Sequence, residues 1–142
     1  QIIFLHFDSI GVPSAEEMIR DYGSPSGWQE QTTYIWTSDI ISKYSHYSHA
    51  IIEGQVNIDF ILGAFKRYNV TSYNVLLIHA NDEVRHKRLR GDRSQPELVN
   101  EDMDNWARFL YDQARQYNMP IIDTSVDAVE ETILNIRTVI RI

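Results

Sequence analysis

The chain has 142 residues, 43% of them hydrophobic and 23% charged, which suits one ordinary globular domain and excludes disordered and collagen-like classes. A formal net charge of −7 with 13 Lys and Arg residues disfavours general nucleic-acid binding, because a polyphosphate would be repelled. There is no cysteine, hence no disulfide, thiolate metal site or thiol nucleophile, and no apolar run approaches the roughly 20 residues of a membrane span. The expected setting is the cytoplasm, with no membrane partner.

The chain opens at Gln1 without an initiator Met and runs directly into the apolar stretch IIFLHF at residues 2–7, so a segment upstream is expected. That stretch reads as a buried strand ending in Asp8, Ser9 and Gly11. Ser14 with Glu17 three residues later is a capping box that starts a helix through Met18, Ile19 and Tyr22, and Gly-Ser-Pro-Ser-Gly at residues 23–27 breaks it. Tyr34, Ile35, Ile40 and Ile41 predict a helix over 29–44, against the weak propensities of Thr32, Thr33 and Thr37. Trp28, Trp36 and Trp106 read as packing residues.

HAIIE at residues 49–53 predicts a second strand, and Ile58, Ile61, Leu62, Phe65 and Tyr68 a returning helix. YNVLLIH at residues 73–79 predicts a third strand, followed by a charged helix over 82–90. Met103, Trp106, Phe109, Leu110 and Ala114 recur at helical spacing, residues 119–122 make a fourth strand, and a last helix runs over 126–139. Strands alternating with helices imply βαβ units: an α/β fold with one parallel sheet, helices on both faces, and ligands at the carboxyl ends of the strands. Among the five histidines only His46 and His49 are close, and no third ligand lies near them in sequence, so a metal pair is not expected.

The chemistry-bearing residues fall at those strand ends. Asp8, Glu53 and Asp123 each close a strand, and Asn81-Asp82 follow the third. Acids at this edge also serve as helix caps and turn formers, and Asp123-Thr124-Ser125 before a helix is good capping chemistry. Glu53, after buried aliphatics and before Gly54, is placed to hold Mg²⁺ through water or to orient a nucleophile. Asp8 is placed to accept the proton of a substrate hydroxyl. Arg85, Lys87, Arg88, Arg90 and Arg93 reverse the local charge sign. They read either as a solvated helix face or as guanidinium groups for a transferred phosphoryl group, with residues 91–96 as the hinge of a closing lid.

Phe7-Asp8, Ile51-Ile52-Glu53-Gly54-Gln55, Arg88-Leu89-Arg90-Gly91-Asp92-Arg93 and Ile121-Ile122-Asp123-Thr124-Ser125, in that order, resemble the P-loop kinase superfamily, and within it the small AAA-type or adenylate-kinase-like ATP-dependent kinases. The likeness runs from Ile2 to Val139. It implies a three-layer sheet of strand order 2-3-1-4-5, in which the four visible strands are 2, 3, 4 and 5. It also implies ATP and Mg²⁺ as cofactors and a small metabolite or nucleotide as phosphoryl acceptor. By the same likeness Asp8, Glu53, Arg88 and Arg93 are catalytic and Glu53 holds the metal, while Arg85, Arg88, Asp123, Thr124 and Ser125 contact the nucleotide.

No Gly-x-x-x-x-Gly-Lys-[Ser/Thr] occurs in the sequence. The central strand, phosphate loop and following helix, roughly 25–30 residues, are therefore expected to be missing from an N-terminally incomplete domain spanning residues 1–142. Two other readings stay open: a nucleotide-binding switch module that transfers no phosphate to a small molecule, and a degenerate interaction domain. The acceptor and the oligomeric state are not legible.

Overall fold

The computed structural model describes residues 1–142, which divide into two compact units, Gln1–Thr71 and Ser72–Ile142. No helix is long and apolar enough to cross a membrane.

In the first unit, β1 (Ile2–His6) lies parallel to β2 (His49–Glu53) in a two-stranded sheet, with Ile2 opposite His49, Phe4 opposite Ile51 and His6 opposite Glu53. A short 3₁₀ turn, Phe7–Ile10, follows β1 and ends at Gly11, whose φ of 97° favours glycine. Helix α1 (Ala15–Tyr22) begins with the expected box: the Ser14 hydroxyl accepts from the Glu17 amide and the Glu17 carboxylate accepts from the Ser14 amide. Gly23 closes it in the left-handed region at φ 80°.

Helix α2 spans Pro25–Lys43 and so starts inside the stretch expected to be a break. Only residues 23 and 24 interrupt the helices, because Ser24 caps the Gly27 amide and Pro25 sits in the first turn, where its missing N–H costs nothing. The buried threonines are accommodated inside the helix: the Thr33 hydroxyl donates to the Gln29 carbonyl and that of Thr37 to the Thr33 carbonyl. Helix α3 (Ile58–Arg67) is capped by Asn57. The core of this unit is Leu5, Phe7, Met18, Trp28, Trp36 and Val56, so Trp28 and Trp36 do pack as expected.

In the second unit, β3 (Leu77–His79) lies parallel to β4 (Ile121–Asp123), with His79 opposite Asp123. Both strands are shorter than their apolar runs: the Leu77 amide donates to the Pro120 carbonyl at the start of β3, and residues 73–76 lie outside the ladder. Helix α4 (Asp82–Arg90) is capped by Asn81, α5 (Glu101–Gln116) by Asn100, and α6 (Val129–Ile140) has no side-chain cap. Leu89, Leu110, Ala114 and Ile122 are its buried apolar residues.

Candidate functional site

The carboxyl end of the β1–β2 sheet carries two of the expected carboxylates, Glu53 as the last residue of β2 and Asp8 two residues past the end of β1. Parallel register puts His6 and Glu53 on the same face, and His6 Nδ1 lies 2.6 Å from Glu53 Oε1. Both side chains are open to solvent. Glu53 caps no helix, since Asn57 performs that role for α3. Two residues beyond His6, Asp8 sits in the 3₁₀ turn, exposed and with its carboxylate free of intramolecular partners.

Helix α2 holds both loops from beneath. Trp28 meets the Phe7 ring edge-on at a centroid distance of 6.0 Å, and Trp36 Nε1 donates to the Phe7 carbonyl at 2.9 Å. The loop after Glu53 is pressed onto the same residue, because a Cβ on Gly54 would stand 2.5 Å from the Phe7 Cβ. Glycine is needed there for close approach.

At the carboxyl end of β3–β4 the expected nucleotide contacts form a closed knot. Arg88 donates through Nη1 to the Thr124 hydroxyl at 2.8 Å and through Nη2 to the Thr124 carbonyl at 2.7 Å. The Thr124 amide and hydroxyl both donate to the His79 carbonyl. Asp123 accepts from Ser125, and the Ser125 hydroxyl and amide hold its carboxyl below the usual carboxylate range. Ser125 Oγ in turn accepts from the Asn81 amide. Asp123 therefore builds a turn onto Ser125, while Ala128 occupies the N-cap of α6.

Arg85 is likewise committed to protein partners. Its Nη2 donates to Asp82 at 2.9 Å and to Asp104 at 2.5 Å, and its Nε is buried without a partner. His86 shares the same Asp104 oxygen at 2.7 Å. The two bonds, His86 first and Arg85 second, hold the Asp104 carboxyl below its usual range. Arg93, by contrast, is exposed and forms no ion pair. Beside the knot an open cleft of about 510 Å³ is lined by His79, Asn81, Asp82, Arg108, Tyr111 and Asp112.

Compared with protein-family profiles, with curated proteins and with solved structures, the chain matches none of them.

The sequence reading missed His6, Gln29 and Asp104. His6 could have been suspected from its place two residues before Asp8 on a strand, but its bond to Glu53 spans 47 positions and depends on register. Gln29 and Asp104 lie on helices with no motif to mark them.

Proposed function

We propose that these residues are the larger part of a P-loop kinase-type domain that transfers a phosphoryl group from ATP to a small metabolite or nucleotide in the cytoplasm. One observation carries the reading: the four strands pair as β1–β2 and β3–β4, both parallel. Removing strand 1 from the order 2-3-1-4-5 leaves the pairs 2-3 and 4-5. β2 and β3 are not hydrogen-bonded to each other, which is what that order requires once its strand 1 is left out.

Bare strand faces support the same conclusion. Strands of parallel sheets are normally covered on both sides, yet Phe4 is 66% exposed and Ile78 53% exposed. A strand, loop and helix from elsewhere in the protein would supply the pairing and the cover.

Glu53 suits a cation that keeps most of its ligands as waters and phosphates, since it offers one exposed carboxylate with Oε1 engaged by His6. No group of three or more acidic or histidine residues forms an all-protein cage. Glu53 would hold Mg²⁺ there, and the ion would supply positive charge toward the transferred phosphoryl group. The phosphate cradle itself is not among these residues, so none of them is assigned to it. Asp8, with its free carboxylate, accepts the proton of the acceptor hydroxyl. Arg93 meets charge on the transferred group, while Arg88 fixes the Thr124 loop beside the nucleotide.

The test is transfer of labelled γ-phosphate by the full-length protein to a pool of small metabolites. Label in a small-molecule product supports the reading. Hydrolysis to inorganic phosphate alone favours a switch module, and no turnover favours a non-catalytic domain.

A further inference from the structure

The segment that carries Glu53 toward α3 is tied to α2 by one side-chain amide. Gln29 Oε1 accepts from the Asn57 amide at 2.9 Å, and Gln29 Nε2 donates to the Gln55 carbonyl at 3.2 Å. The amide orientation is fixed, because one end faces a donor and the other an acceptor. Gln29 is half-buried, adjacent to Trp28 and one turn before Thr33, whose hydroxyl bonds the Gln29 carbonyl. The backbone of Gln29 is therefore anchored while its side chain spans to the loop.

The same helix holds the other candidate loop, through Trp28 on the Phe7 ring and Trp36 on the Phe7 carbonyl next to Asp8. The Glu53 side chain is bonded not to α2 but to His6, on the exposed face of the sheet. The backbone of Glu53 is paired to β1 opposite His6, and the loop that follows it is set by the close approach of Gly54 to Phe7 at one point and by the Gln29 clasp on residues 55 and 57 at the other. Resting on the phosphoryl-transfer reading, we propose that Gln29 is a positioning residue that sets the Glu53 loop in its working place relative to Asp8. It touches neither metal nor substrate and acts through residues 55 and 57. Catalytic groups held by such contacts are sensitive, as a displacement near 1 Å costs on the order of 100-fold in rate.

The experiment uses the full-length protein and compares wild type, Gln29→Met, which keeps the length and removes both bonds, and Gln29→Glu, which keeps the acceptor for Asn57 and loses the donor to Gln55. Turnover of ATP is measured against Mg²⁺ concentration, and amide exchange is followed at residues 54–57. Gln29→Met is expected to speed exchange at Asn57 and to lower kcat by about ten-fold or more with little change in KM for ATP. Gln29→Glu falls between it and wild type. Should the Met variant not fold, Gln29→Asn, one methylene too short to reach both partners, takes its place with the same expected loss.

Wild-type kcat in Gln29→Met, beside a Glu53→Gln variant that has lost turnover, overturns this inference alone. A Glu53→Gln variant that keeps its turnover, or a wild-type protein with none, overturns the phosphoryl-transfer reading and this inference with it.

Discussion

Gly54 and Phe7 share one space, since a Cβ on the glycine would lie 2.5 Å from the Cβ of the phenylalanine and 3.3 Å from its Cγ. Phe7 is in the core, between Trp28 and the Trp36 indole that bonds its carbonyl, so it cannot withdraw cheaply. Gly54→Ala is expected to destabilise the protein by about 1–3 kcal/mol, the usual cost of overpacking. A lower urea midpoint at unchanged slope is the expected observation, and an unchanged midpoint would mean that the loop yields freely.

Arg88 and Thr124 are joined by two bonds from one guanidinium, Nη1 to the hydroxyl and Nη2 to the carbonyl. Arg88→Ala is expected to cost about 1.5–3 kcal/mol, as for hydrogen bonds to a charged group. Arg88→Lys should recover little, because an ammonium cannot reproduce the planar fork. Equilibrium unfolding of the two variants checks this; full recovery by lysine would make charge, not geometry, the reason for the arginine.

Asp104 gives acid stability a defined sign. Its carboxyl is held below its usual value by His86 and Arg85, so its contribution is present above the unfolded-state value, near pH 4, and is lost as pH falls through the lower folded-state value. Asp104→Asn should flatten the fall in stability below about pH 4 while lowering stability at neutral pH. Unfolding midpoints measured from pH 2 to pH 7 test it; parallel curves for both proteins would contradict it.

Much of this was readable from the residues. The capping box of Ser14 and Glu17, the periodicity of α5 and the alternation of strands with helices all reflect local chemistry, and all appear. What was not readable depends on contacts across the chain. Residues 25–27 looked like a break because Pro and Gly are breakers in a helix interior, whereas in a first turn they are tolerated. The commitment of Arg85 to Asp104 and of Arg88 to Thr124 was not legible, because these partners lie 19 and 36 positions away. Glu53 at a strand end was legible as a candidate, but its pairing with His6 required the register of β1 on β2.

The central claim, that Glu53 organises a metal for phosphoryl transfer, is tested most directly by steady-state MgATP turnover of the full-length Glu53→Gln protein, with its fold verified by circular dichroism. The substitution keeps the shape and deletes the charge. Turnover is predicted to fall by about 100-fold or more, as expected when a metal-organising charge worth several kcal/mol is removed, while the unfolding midpoint stays close to wild type because Glu53 is exposed. Turnover near the wild-type rate in the folded variant would contradict the account and leave Glu53 as the surface partner of His6.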